Sequence, residues 1–179
     1  KLLAWVKQKF KKWYDFSDRD LTGVDCSWFD LSSSNFNRAV IASGKFDWCN
    51  FEWASFVCPS TERTSLKWAK LKDIYAHSAF FSVAKLQEAI IEWCSFENAS
   101  FRWSNISGSW FYQCNLSGTK FAWSNAYECT FVECTGVETL FSGMIWWTLF
   151  YSNNKFKKAD FKWTDISFSQ FTWWTMDWW

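Results

Sequence analysis

The chain has very little of the material from which loops, catalytic sites and membrane spans are built. Its 179 residues include one proline, six glycines and one histidine. So few turn-forming residues leave nothing that resembles a linker, which indicates one continuous unit of ordinary domain size. The most apolar stretch, residues 140–151, has only twelve residues and is too short to span a bilayer.

Candidates for catalysis are equally scarce. The single histidine, His77, has no nucleophile motif around it, and there is no glycine-rich phosphate loop. Glu128, Glu133 and Glu138 are spaced by five, which places them on different faces of the repeat described below rather than in one acid–base pair. The sequence therefore predicts a protein that is not an enzyme and needs no cofactor.

What the chain does have is a period of five. Counting by fives from Phe16 to Met176 gives 33 positions without an insertion, and 28 of them are large and apolar. We call these positions the central column. Two residues before each lies a second position, the small column, where 23 of 33 residues are Gly, Ala, Ser, Thr or Cys. Neither a helix nor a strand has this period, so it indicates an internal repeat.

The columns predict a coil. If one large and one small side chain in every five point inward, the chain must turn a corner about once per repeat. Four corners close a square coil of about twenty residues, and successive coils stack at roughly the inter-strand spacing of ~4.8 Å. Backbone amides then pair with the coils above and below, as buried amides require. Thirty-three repeats make about eight coils.

The order of residues within each repeat is that of a known family. "AVIAS" around Ile41, "CNFEW" around Phe51, "CNLSG" around Leu116, "ADFKW" around Phe161 and "TDISF" around Ile166 place a small residue, a variable and often polar residue, a large apolar residue and two outward residues in turn. The chain resembles the pentapeptide-repeat proteins over residues 14–176. The resemblance implies an all-β fold, a right-handed quadrilateral β-helix that occupies residues 14–179.

Some repeats depart from this pattern because their small column holds a larger residue. We expect distorted coils at these places. They are Arg19, Phe29, Pro59, Ile74 and the stretch from 144 to 154.

The N-terminus differs in kind. Residues 1–13 carry five lysines and no acid, with apolar residues at helical spacing between them. We predict an amphipathic helix that caps the first coil, since terminal repeats need a cap. A basic amphipathic helix also suits contact with a membrane surface or an anionic partner, and this alternative stays open.

The seven cysteines follow the repeat rather than a metal-site pattern. Five lie in the small column, and Cys94, Cys114 and Cys134 are twenty residues apart, so they should stack on one wall. There is no CxxC pair, which argues against a zinc site, and no metal is expected. An odd count of cysteines, most of them inward, favours a reducing compartment such as the cytoplasm. No secretory signal is visible, but the chain begins with Lys1, which leaves open a removed leader and an organelle lumen.

Tryptophan is the most unusual component. Ten of the seventeen tryptophans lie two residues after the central column, in what we call the corner column, which is expected to face outward. Trp28, Trp48 and Trp68 are twenty apart and should form one ladder, and Trp103 and Trp123 begin another that skips Gly143. Exposed tryptophan is typical of protein interfaces. The predicted interface residues are Trp28, Trp48, Trp68, Trp103, Trp123, Trp163, Trp173, Trp174, Trp178 and Trp179.

These features favour a non-catalytic structural protein that docks on other proteins or on itself through the C-terminal coil, as part of a larger assembly. The resemblance implies this role for many relatives, including some in photosynthetic compartments. It also implies an alternative, modulation of DNA gyrase or another type II topoisomerase by imitating duplex DNA. That role needs an acidic surface, whereas residues 14–179 carry only −4, which is +1 for the whole chain minus the five N-terminal lysines. Binding to nucleic acid is not expected, because a basic patch is missing outside residues 1–13.

Overall fold

A computed structural model of the chain describes residues 14–61, 63–144, 149–150 and 153–164. The residue before each central position forms a parallel β-bridge with the residue twenty positions later, and we call this position the bridge column. On one wall the bridges link Asp15, Asn35, Ser55, Tyr75, Ser95, Asn115 and Thr135 in turn. Thr135 then pairs with Lys155. Eight rungs follow one another on this wall, which confirms the predicted quadrilateral coil of twenty residues.

Corners form because the corner column adopts left-handed backbone. Every described residue of that column from Asp18 to Trp163 has a positive φ, and only four of them are glycine. At most corners the N–H three residues after the central residue bonds back to its carbonyl, as from Arg19 to Phe16 at 3.1 Å. A positive φ at the third residue alone is the mark of a type II turn. One such turn per five residues gives the square cross-section.

Only part of the bridge pattern extends into strands, and these are short. Four of them, with a fifth in slightly shifted register, form one parallel sheet in the order β1-β2-β3-β4-β6, and two others pair as β5-β7. The strands are β1 (Lys70–Lys72), β2 (Ile90–Glu92), β3 (Trp110–Tyr112), β4 (Thr130–Val132), β5 (Thr135–Val137), β6 (Leu149–Phe150) and β7 (Lys155–Lys157).

The core is a column of stacked rings. Described central residues from Leu21 to Phe156 are buried, and Phe161 in the last described coil is half-buried. The Phe101 ring lies parallel to the rings one coil below and above, Phe81 at 4.9 Å and Phe121 at 5.0 Å. Among the described central residues the one hydroxyl, on Thr61, donates to the carbonyl of Phe80. The small column is buried from Ser34 to Met144, so burial of one large and one small side chain per repeat is confirmed over that range.

The register of the coils changes once. Thr130 pairs with Leu149, an offset of 19, whereas Leu140 pairs with Lys120 and Lys155 with Thr135 at offsets of 20. The coil from Thr130 to Leu149 is therefore one residue shorter than a regular coil. The step from Leu149 to Lys155 is one residue longer than a regular repeat, which restores the offset of 20. The expected distortion between 144 and 154 is confirmed. The constant sequence phase was wrong here, because it would have paired Tyr151 with Phe131, and Phe150 takes that register position.

The prediction of distorted coils at Arg19, Phe29, Pro59 and Ile74 was wrong for the register, which does not change there. The neighbouring bridges keep the offset of twenty, as in Asp20 with Val40 and Ser60 with Phe80. Arg19 belongs to the first coil and its side chain is exposed, so it does not compete for the interior. Pro59 removes a turn hydrogen bond, but its carbonyl still accepts from the Phe80 N–H at 3.3 Å.

Two predictions fall outside the part of the chain that the structure describes. They are the amphipathic helix at residues 1–13 and the C-terminal tryptophans Trp173, Trp174, Trp178 and Trp179. Among the described residues, no helix has the length and apolar character that a membrane span requires.

Candidate protein-binding surfaces

The first tryptophan ladder lies along one corner of the rod. The Trp28 and Trp48 rings are 5.0 Å apart with planes 5° from parallel, and Trp48 and Trp68 are 4.8 Å apart at 10°. Exposed fractions of 73%, 45% and 42% leave the outer edges of the three indoles in solvent. The Lys67 ammonium lies 6.0 Å from the centre of the Trp68 ring. The result is a continuous aromatic strip three coils long.

The second ladder lies on a neighbouring corner. Trp103 and Trp123 stack at 5.9 Å with planes 14° from parallel. The next position is Gly143, and a Cβ there would meet the Trp123 ring at 2.8 Å, so the indole rests on bare backbone. One coil further, Trp163 is 83% exposed. The ladder therefore has a missing rung at Gly143, where the sequence predicted one.

Tryptophan is unfavourable in the corner column because the backbone there is left-handed. Left-handed backbone costs a residue with a Cβ roughly 1–2 kcal/mol, a cost that glycine escapes. Gly23 and Gly118 occupy the same position in other repeats, so the fold accepts glycine there. Stacking between neighbouring rings contributes about 0.5–1.5 kcal/mol per pair and offsets much of the cost within a ladder. Trp53 is 61% exposed and makes no ring contact among the described residues, so stacking does not offset its cost.

Negative charge is concentrated in the first coil. Residues 14–33 contain five aspartates and one arginine, a net −4, so residues 34–179 together carry no net charge. Asp18 forms a two-pronged ion pair with Arg38, with N–O distances of 2.7 and 2.6 Å, and this bond lowers the pKa of the Asp18 carboxyl. Three other carboxyls accept hydrogen bonds from the Ser or Thr two residues later, which lowers their pKa values. These are Asp15, Asp20 and Asp25.

The cysteines lie inside the coil, as their phase predicted. The thiol of Cys94 donates to the Leu71 carbonyl at 3.1 Å, and Cys134 makes the same contact with Phe111 at 3.4 Å. Burial raises the pKa of Cys129 to about 12 and raises the pKa of Cys114 well above its ordinary value. All seven thiols are free, and only Cys58 is exposed. Within the described ranges no group of three metal-ligating side chains comes together.

Sequence reasoning missed one group of exposed apolar residues. Ile90 and Trp110 are adjacent in the bridge column of β2 and β3 and are 48% and 43% exposed. The sequence contained a signal for this pair, because Ile90 and Trp110 lie twenty residues apart and therefore on the same wall. The predicted interface comprised corner-column tryptophans and the C-terminal Trp174 and Trp179, and therefore did not include this position.

Comparison with known proteins agrees with the geometry. A family model described as pentapeptide repeats matches eight copies within residues 20–56 and 94–132. Over these two segments, 76 of the 179 residues, the sequence consists of pentapeptide repeats.

One of the solved structures that the chain matches shows the same fold. The chain is similar to QnrB1, a plasmid-mediated fluoroquinolone resistance protein, with 14% identity, 92% of each chain covered and a TM-score of 0.56. It also matches HetL of the cyanobacterium Nostoc sp. strain PCC 7120, a pentapeptide-repeat protein involved in heterocyst differentiation regulation. That match has 11% identity, covers 98% of this chain and 94% of HetL, and has a TM-score of 0.41. No curated protein matches the chain.

Proposed function

We propose that this pentapeptide-repeat protein is a non-catalytic rod that docks on other protein subunits through its exposed tryptophan faces, within a larger assembly. The observation that carries the proposal is the ladder Trp28–Trp48–Trp68, three indoles stacked in nearly parallel planes, held in register by the coil and open to solvent. Tryptophan is enriched among residues that dominate binding energy. A rigid strip of three needs little further ordering on binding, which keeps the entropic cost low.

The absence of catalysis is part of the proposal. Glu128, Glu133 and Glu138 occupy three successive corners and point away from one another, so they do not form an acid–base pair. The half-buried His77 imidazole lies 3.9 Å from the Glu97 carboxylate, whose side chain is 47% exposed. Neither arrangement includes a nucleophile held by a neighbouring base, the usual mark of a catalytic site.

The test compares assembly with stability. Replacing Trp28, Trp48 and Trp68 together with Ser removes two stacked pairs, worth about 1–3 kcal/mol in total. We expect the melting temperature to fall by roughly 4–8 °C, while the complex that co-purifies with the tagged chain from its source organism is lost. Light scattering after size-exclusion chromatography measures the complex, and circular dichroism measures the melt.

Trp53→Ser is the matched control, because Trp53 lies in the same column on another corner. We expect it to leave the complex intact. A triple variant whose melt collapses while the complex keeps its size would contradict the proposal, since the indoles would then serve only to hold the coils together.

A further inference from the structure

One wall of the rod is a flat parallel sheet with an apolar centre. We call it the sheet wall and define it by strands β1 to β4. In its middle two strands Ile90 and Trp110 are neighbours in register, and Tyr112 packs edge-on against Trp93 with ring centres 6.1 Å apart. Ile90, Trp93 and Trp110 are each more than 40% exposed. A contiguous apolar patch of this kind on a regular surface is typical of an interaction site.

The patch has opposite charges at its two ends along one corner. Toward the N-terminus, Lys70 lies on β1 and Lys67 precedes the corner residue Trp68. Toward the C-terminus, the same corner carries the exposed Glu128, three coils beyond Trp68. Lys70 has one partner within the chain, Glu52 at 3.6 Å, and its side chain is still 44% exposed. The other edge of the wall carries Lys72 and Asp73 at β1, Glu92 on β2 and Glu133 after β4, a net charge of −2.

We propose that the sheet wall binds the sheet wall of a second copy of this chain, with the two rods antiparallel. A two-fold axis across the rod, midway between β2 and β3, keeps each corner against the same corner of the partner and reverses the order of the coils. Ile90 then lies opposite Trp110 of the other copy. Trp68 then lies opposite Glu128, which brings Lys70, two residues further along the chain, close to that carboxylate, and the same contact repeats at the other end, as a two-fold interface requires.

Charge selects the antiparallel arrangement over the parallel one. A two-fold axis along the rod would place each coil opposite the same coil of the partner and would exchange the two edges of the wall. It would place Lys70 against Lys72 and Ile90 against Glu92. Like charges in contact and a carboxylate against an apolar side chain both disfavour that arrangement. This inference rests on the proposed function only in taking protein docking as the activity, because it uses a different surface and names the partner.

Sedimentation of the purified full chain tests whether the dimer exists and where it forms. We expect a dimer that Trp110→Ser weakens by about 1,000-fold, the factor that corresponds to a hot-spot loss of ~2 kcal/mol at each of the two copies of Trp110. Phe80→Ser is the matched control, since Phe80 occupies the bridge column of another wall and is 54% exposed. An unchanged far-UV spectrum for both variants shows that the coil is intact.

A charge exchange tests the orientation. Lys70→Glu and Glu128→Lys should each give monomers, because both contacts of each homodimer become repulsive. An equal mixture of the two variants should restore the dimer, since both contacts of the mixed pair are again attractive. Lys85→Glu, an exposed lysine on another wall, is the control and should dimerise normally.

Three results would overturn the proposal: a wild-type chain that remains monomeric, a loss of dimer with Phe80→Ser equal to that with Trp110→Ser, or a mixture that stays monomeric. A monomeric chain that still co-purifies with a different protein through the Trp28 ladder would overturn this inference alone and leave the proposed function standing.

Discussion

At the scale of single residues, the cysteines show how position decides chemistry. Cys94, Cys114 and Cys134 stack on one wall, and the thiols of all three lie against backbone carbonyls of the preceding coil. Desolvation disfavours the thiolate, which is the reactive form of cysteine. Burial therefore makes these side chains act as small apolar residues that also donate a weak hydrogen bond.

This burial predicts slow thiol chemistry in the native protein. With a disulfide reagent at mildly alkaline pH, we expect one fast-reacting thiol, Cys58, and reaction of the other six only after unfolding in denaturant. The Cys58→Ser variant should lose the fast phase and nothing else. Rapid labelling of Cys94, Cys114 and Cys134 in the native state would show that the interior is open.

The same burial makes stability depend on alkaline pH. The folded state keeps Cys114 and Cys129 protonated, whereas the unfolded chain ionises them above their ordinary pKa of 9.0. Their contribution is complete below pH 9 and is lost as the pH rises, by up to ~1.4 kcal/mol per pH unit for each thiol. Urea unfolding at increasing pH should show this fall. Cys129→Ala should reduce the slope, and an unchanged slope would contradict the assignment.

At the scale of elements, the register change around β6 depends on one side chain. The buried Asn154 donates from Nδ2 to the Phe131 carbonyl at 2.8 Å and accepts at Oδ1 from the Cys134 N–H at 2.8 Å. Its donor contact matches that of the cysteines one, two and three coils earlier, each of which contacts the carbonyl 23 residues before it. Asn154 therefore bonds to the preceding coil at the point where the offset of 20 is restored.

We expect Asn154→Ala to lower the free energy of unfolding by about 3 kcal/mol, because it removes both buried hydrogen bonds to backbone groups. Ser104→Ala is the matched control. Ser104 occupies the same small column and donates one bond, to the Phe101 carbonyl at 2.6 Å, so its loss should cost only ~1 kcal/mol. Urea unfolding measures both variants, and equal effects would show that Asn154 has no special role.

Sequence determined some of these elements and not others. The period of five was sufficient for the coil, the inward thiols and the stacking of Trp28 on Trp48, because all three depend only on position within the repeat. The larger residues between 144 and 154 predicted a distortion, but not the loss of one residue at Leu149. The sequence keeps its period of five through this stretch, whereas the strand pairing shifts by one residue. Trp110 was missed because it lies in the bridge column, outside the column in which exposed tryptophan was expected, although its spacing of twenty from Ile90 already placed the two side by side.

At the scale of the whole molecule, the distribution of charge separates the two functions that the family suggests. A protein that imitates duplex DNA must present negative charge along its length. In this chain the first coil carries the entire net negative charge of the repeat region, and residues 34–164 sum to +2. The remaining coils offer aromatic rings and mixed charges, which suit protein docking.

We therefore expect the purified protein neither to inhibit DNA gyrase supercoiling nor to protect the enzyme from a fluoroquinolone. A supercoiling assay with increasing amounts of the chain measures both effects. If a clear effect appeared and persisted at high salt, shape and apolar contacts would have replaced charge, and the DNA-mimic function would rank above docking.

The constant coil of twenty residues turns residue number into direction. Adding or removing twenty residues would lengthen or shorten the rod by roughly 4.8 Å and leave every downstream side chain facing the same way. Adding five would rotate everything downstream by a quarter turn. One extra repeat between Trp68 and Trp103 would bring Trp103 and Trp123 onto the corner that carries Trp28 and Trp48. In this protein the angle between two binding strips is a quantity that evolution or an engineer can set in steps of ninety degrees, independently of their composition.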